Sequence, residues 1–294
     1  MAERVYVNGS LVPIEEAKIS AFDHGFLYGY GLFETMRAYN GKIFLLDRHI
    51  NRLSSSAAFV GLGAAVDKID IAGACMETLE ANNLKDARIR FTVTGGEADA
   101  YPWDIKGGKP TVIITARPFK AIPEGKYKQG YKICLASIRR SKQSILSNVK
   151  STSYIGSTLA KIEATGQGAD EALLLNEDGY LTEGGSSNIF FVRSSRLVTP
   201  SIQSGILPGI TRELVIELAE ELEISVTEGT VGVAIIRQCD EAFLTASTME
   251  IMPMTEAIDK TGRAVIIGSG KPGPVTLKLM AAYRNRVLKE TSDG

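Results

Sequence analysis

Arg4–Val7, 88–94 and 111–115 are short strand-like runs, with polar and apolar residues alternating along 88–94, whereas 45–60 and 69–83 repeat apolar residues at helical spacing. Up to about residue 118 the chain therefore alternates strands with helices, an arrangement in which helices cover one face of a sheet. The stretch Pro118-Phe-Lys-Ala-Ile-Pro-Glu-Gly125 sets two prolines and a glycine between apolar segments and reads as a linker. From Tyr131 onward strands dominate, with 170–176, 188–192 and 241–244 as the clearest. Helices are predicted over 154–164, 211–222 and 275–289. The pattern predicts an α/β (α+β) chain of two domains: residues 1–118, a linker at 119–130, and a strand-rich domain at 131–294.

Composition narrows the partners. A net charge of −1 over 294 residues, with no basic run, leaves no electrostatic footprint for nucleic acid or an anionic membrane. No apolar run approaches the length of a membrane span, and the opening Met-Ala-Glu-Arg-Val-Tyr is too polar for a signal peptide, so a cytoplasmic protein is expected. Cys75, Cys134 and Cys239 form an odd, widely spaced set without a CxxC pair and read as reduced thiols. With only His24 and His49 present, no histidine metal site is expected.

Candidate chemistry lies in three segments. Lys150, in Lys150-Ser-Thr-Ser-Tyr154, stands where a polar run meets a predicted helix; a lysine there becomes a Schiff-base former if desolvation and nearby cations lower its pKa. Glu183-Gly-Gly-Ser-Ser-Asn188 places a carboxylate on a Gly-rich break in the sheet, able to pair with a pyridinium N–H. Leu207-Pro-Gly-Ile-Thr-Arg212 runs from a turn into a helix whose first N–H groups, at Ile210, Thr211 and Arg212, suit a phosphate. Thr245-Ala-Ser-Thr248 adds hydroxyl donors after a strand.

These motifs, together with Arg48-His-Ile-Asn-Arg-Leu53 and in this order, resemble the class IV aminotransferases over essentially the whole chain, from about Val5 to about Leu288. The group includes branched-chain aminotransferases, D-amino-acid transaminases and aminodeoxychorismate lyases. The resemblance implies a two-domain fold with pyridoxal 5'-phosphate between the domains, a homodimer, and amino acids and 2-keto acids as substrates. It also implies Lys150 as the Schiff-base lysine and Cα base, Tyr154 as the partner of the cofactor's phenolic oxygen and Glu183 as the partner of its ring nitrogen. Arg52 matches the phosphate-binding arginine, Ile210 and Thr211 the backbone cradle, and Ser247 or Thr248 the hydroxyl that completes it.

Substrate choice rests on the first domain. Alternation puts Arg88 and Arg90 on one strand face, where two guanidinium groups suit a carboxylate. Tyr28 and Thr35 are taken with them as substrate-facing candidates. Branched-chain enzymes typically have Tyr at the position of Arg88 and Gly at that of Thr35. The Arg-x-His loop of the D-amino-acid transaminases is missing from Gly95-Gly-Glu-Ala-Asp-Ala-Tyr101, and Thr35 fits the lyases. The arginine pair favours D-amino acids such as D-alanine or D-glutamate, with a branched-chain L-amino-acid enzyme and a lyase as alternatives. A catalytically silent binding protein of the same fold is a further alternative, opposed by the joint presence of Lys150, Glu183, Tyr154 and Arg52.

Overall fold

The structure, a computed structural model, describes residues 3–97, 109–259 and 261–292, so residues 98–101 of the loop after Gly95 lie outside it. The chain divides into two compact units. The first comprises Met1–Lys120, Val149–Tyr154 and Val287–Gly294; the second comprises Ala121–Asn148 and Ile155–Arg286.

The first unit is built on β1 (Arg4–Val7), β2 (Ser10–Pro13), β3 (Gly31–Tyr39), β4 (Lys42–Ile43), β5 (Ala87–Glu97) and β6 (Lys109–Pro118). They form one antiparallel sheet in the order β2-β1-β6-β5-β3-β4. Helices α1 (His24–Tyr28), α2 (Leu46–Phe59), α3 (Gly63–Val66) and α4 (Ile71–Ala81) complete it. Alternation decides the two faces. Ile89 and Phe91 on β5 lie opposite Met36 and Glu34 on β3, and this face carries the core with Leu53, Ala57, Cys75 and Leu79 of α2 and α4. Arg88 and Arg90 take the other face, opposite Arg37 and Thr35. Asp70 starts α4 by accepting the Gly73 N–H, the local reason the helix begins there.

The division predicted from sequence leaves Lys150 and Tyr154 with the second domain, whereas contacts group 149–154 with the first unit. Hydrogen bonds give the reason. Phe33 N–H donates to the Lys150 carbonyl at 2.9 Å, and Thr152 N–H donates to the Gly31 carbonyl at 2.8 Å. This segment lies along the start of β3, while β4 pairs only with Ala38 and Tyr39 at its far end. The predicted linker also contains a helix, α5 (Glu124–Gln129).

The second unit carries β7 (Tyr131–Arg140), β8 (Glu171–Asn176), β9 (Tyr180–Gly184), β10 (Asn188–Arg193) and β11 (Arg196–Pro200). After these come β12 (Val226–Gly229), β13 (Val231–Gly232), β14 (Glu241–Ala246), β15 (Glu250–Ile258) and β16 (Ala264–Ile266). They make a mixed sheet in the order β12-β11-β10-β14-β15-β7-β8-β9-β13, with β16 beside β15. Its helices are α6 (Ile155–Gly166), α7 (Ile210–Glu221), α8 (Ile235–Gln238) and most of α9 (Pro274–Thr291). Helix α7 buries Leu214, Val215 and Leu218, the face its periodicity predicts. Helix α6 does not: Ile155, Leu159 and Ile162 are exposed, and the small residues Ala160 and Ala164 meet the core of β7 and β8. Small side chains let a helix pack closely on a sheet, so the apolar spacing identifies the helix but not its buried side.

Candidate functional site

In the first unit the Lys150 amine lies over the Phe33 ring, 4.5 Å from its centroid, and 5.9 Å from the centroid of Tyr154. Tyr154 meets Phe33 edge-on at 5.5 Å. The Arg90 guanidinium stacks on that same Phe33 ring at 3.8 Å. Burial, and then the neighbouring Arg88 charge, lower the Arg90 pKa. Thr35 stands directly opposite Arg90. Arg88 shares the strand face but is exposed, in a row with Arg37 and Arg117 on the flanking strands. Tyr28, at the end of α1, is exposed and meets His24 edge-on.

Arg52 sits on α2 and grips Glu34 of β3 with both ends of one edge, Nε to Oε1 at 2.7 Å and Nη2 to Oε2 at 2.6 Å. His49, one turn earlier on α2, shares Glu34 Oε2 through its Nδ1 at 2.8 Å. Burial alone would push the Glu34 carboxyl up, but the Arg52 charge and the hydrogen bonds from His49 and Arg52 outweigh it and hold it at about 2. Burial pushes the His49 pKa down, with the Arg52 and Lys150 charges acting in the same direction against the pull of Glu34. Neither Glu34 nor His49 is among the sequence-predicted site residues. The signal that could have found them is a glutamate at an apolar position of an alternating run, with a histidine and an arginine three apart on the covering helix.

In the second unit Glu183 is the next-to-last residue of β9, buried, and both oxygens of its carboxylate have donors. Oε1 receives Arg140 Nη1 at 2.7 Å, while Oε2 receives the Leu207 N–H at 2.9 Å and Asn188 Nδ2 at 3.1 Å. Arg140 is itself pinned, donating from Nε to the Gly205 carbonyl and from Nη2 to the Ser147 carbonyl. Gly184 is crowded by its own turn, since a Cβ there would collide with the Ser187 hydroxyl. Helix α7 starts at Ile210 behind an extended Gly209, which leaves the first N–H groups, of Ile210 and Thr211, without a side-chain cap. The Arg212 side chain turns away, to Glu228 and the Pro200 carbonyl. Ser247 and Thr248 lie half-buried in the turn after β14.

The model of the amino-transferase class IV family matches residues 31–257, more than half of the chain. The chain belongs to the class IV aminotransferases. It is 40% identical over 283 residues to a Methanocaldococcus jannaschii protein whose assignment as a branched-chain-amino-acid aminotransferase is provisional, covering 96% of each chain. It is 34% identical to the aminodeoxychorismate lyase of Bacillus subtilis, covering 96% of this chain and 94% of that protein. Against the D-alanine aminotransferase of Bacillus licheniformis the identity is 32%, over 98% of this chain and 99% of the other. Among solved structures, the branched-chain aminotransferase of Escherichia coli superposes with a TM-score of 0.89 at 31% identity, covering 100% of this chain and 97% of that one. The branched-chain aminotransferase of Thermobaculum terrenum, solved in its PLP form, gives a TM-score of 0.85 at 31% identity, covering 98% of this chain and 94% of that one.

This class IV aminotransferase is a pyridoxal-phosphate-dependent enzyme of the α/β two-domain fold. Each unit offers donors that suit that group: in the first, an amine on an aromatic surface and an arginine; in the second, a carboxylate fixed by three donors and a helix start without a side-chain cap, where a Cβ on Gly209 would collide with Asn188. Among the described residues no helix is long and apolar enough to cross a membrane, and no cluster of His, Cys, Asp or Glu could hold a metal ion.

Proposed function

We propose that the enzyme moves amino groups between branched-chain L-amino acids and a 2-keto acid. The observation that carries this reading is the shared ring: Arg90 and Lys150 both lie on Phe33, so one guanidinium for the α-carboxylate and the reactive amine flank an aromatic wall suited to an apolar side chain. A D-selective clamp of two arginines would need Arg88 beside Arg90, and Arg88 is exposed on the row with Arg37 and Arg117. The identity to the Methanocaldococcus protein and the likeness to the Escherichia coli structure support the same choice.

In this reading Lys150 would hold the cofactor and move the Cα proton, and Tyr154 would hold its phenolic oxygen. Glu183 would keep the ring nitrogen protonated, while Arg52, the Ile210 and Thr211 N–H groups and the hydroxyl of Ser247 or Thr248 would bind the phosphate. When bound, the cofactor supplies the electron sink for the Cα carbanion. Exposed Ile19, Phe22, Phe26, Leu27 and Tyr28 of the first unit support pairing with a second copy of the chain.

A half-reaction panel, followed by the visible absorbance of the cofactor, tests the substrate. L-leucine, L-isoleucine and L-valine should react faster than D-alanine or D-glutamate; the reverse order would restore the D-specific reading, and pyruvate release from aminodeoxychorismate without a keto acid would favour the lyase. Arg90→Leu should raise the Michaelis constant about tenfold, the loss of one charge-assisted contact, and Arg88→Leu should change it far less.

A further inference from the structure

Glu34 is a carboxylate in a place built for an apolar side chain. It lies on the helix-covered face of β3, in register with Phe91 and flanked along the strand by Leu32 and Met36. A buried carboxylate is costly unless every oxygen is used. Here both oxygens are used, and by residues of a single helix. The contact takes the Nε–Nη2 edge of the Arg52 guanidinium, which is planar and rigid, so fixing that edge fixes the direction of the Nη1 side. His49 completes the hold. With its charged form disfavoured by burial, the ring is neutral and its Nδ1–H is donated to Glu34.

We propose that Glu34, braced by His49, is the positioning residue for Arg52, gripping one edge of the guanidinium so that the opposite side is aimed at the cofactor phosphate. The inference rests on the assignment of Arg52 to that phosphate. It has a consequence that separates aim from charge. Glu34 and Arg52 carry opposite charges and His49 carries none, so removing the Glu34 charge leaves the arginine more positive toward a phosphate. If Glu34 acted through charge alone, Glu34→Gln would tighten phosphate binding; if it acts by aiming Arg52, the same change weakens it.

The test is titration of pyridoxal phosphate into the full-length apoprotein, read by absorbance as an affinity and not as activity, with near-ultraviolet circular dichroism and thermal melting of each apoprotein to confirm folding. Arg52→Ala should bind at least tenfold more weakly, and Glu34→Gln about tenfold more weakly. His49→Asn, whose amide N–H takes the place of Nδ1–H, should bind nearly as wild type, and His49→Leu several-fold more weakly. Should Glu34→Gln not fold, the two His49 variants decide. Glu34→Gln binding as tightly as wild type or more so, while Arg52→Ala binds weakly, overturns the proposal. Equal affinity of His49→Asn and His49→Leu overturns the bracing role. An unchanged affinity in Arg52→Ala overturns instead the phosphate assignment beneath it.

Discussion

The first unit holds an arginine with a carboxylate, and the second holds a carboxylate with an arginine. Glu34 and Arg52 have side chains 2% and 12% exposed, and the pair is bidentate across a helix and a strand. Glu183 and Arg140 are more open, at 7% and 19%, with one contact between them; the rest of Arg140 is tied to backbone carbonyls, and Glu183 is held further by the Leu207 N–H and the Asn188 side chain. In both, the residue proposed to meet the cofactor is fixed by an oppositely charged neighbour. The difference lies in what does the fixing. The first pair is locked by the packing of α2 on its sheet and so belongs to the core. The second is locked by carbonyls at Gly205 and Ser147 and by the Leu207 N–H, so it depends on local turns.

The largest expected effect breaks the second pair on its functional side. Glu183→Gln should slow Cα deprotonation by about two to three orders of magnitude, because a neutral amide does not hold the ring nitrogen protonated, while cofactor affinity is partly kept. Single-turnover kinetics at saturating cofactor measures it. An unchanged deprotonation rate would make Glu183 a structural residue only, and the contrast between the units would collapse.

The next effect sharpens the contrast through pH. The Glu34 carboxyl titrates at about 2 in the folded protein against 4.5 for the ordinary group, so its stabilisation is complete above pH 4.5 and is lost as pH falls from there toward 2. The amount is on the order of 3 kcal/mol. Denaturant melts of the apoprotein across this window should show Glu34→Gln less stable than wild type near neutrality and the difference shrinking as the solution is acidified. A difference independent of pH would mean that packing, and not charge, makes Glu34 matter to stability.

Much of this was legible in the sequence, and the parts that were not share a cause. Period two along β5 predicts that Arg88 and Arg90 share a face, because side-chain direction is a local property of a strand. Which of the two lies on Phe33 depends on β3 and on the Lys150 segment, whose pairing with the start of β3 has no periodic signature. Glu34 does break the alternation of its strand, but its meaning depends on α2, which must be packed before His49 and Arg52 come within reach. Arg140 reads as one residue of a polar run, and nothing near it in the chain points to Glu183. Motif order identified the family without any of these contacts, since motifs record the groups that meet the ligand and not the residues that hold them.

The smallest effect asks how much of the second pair is charge and how much is aim. Arg140→Lys keeps a positive charge beside Glu183 but has a single ammonium where the guanidinium serves Glu183, Gly205 and Ser147 at once. Two carbonyls lose their donors, and the ammonium must choose between the carboxylate and the backbone. A stability loss of about 1–2 kcal/mol is expected in denaturant melts of the apoprotein, the size of one or two neutral-acceptor hydrogen bonds. Arg140→Met should cost more, because it also leaves the Glu183 carboxylate without its counter-charge. If the two variants were equally unstable, the turns and not the charge would be what Arg140 supplies, and the second pair would differ from the first in kind. If Arg140→Lys matched wild type, the carbonyl anchors would be incidental and the second pair would act by charge alone.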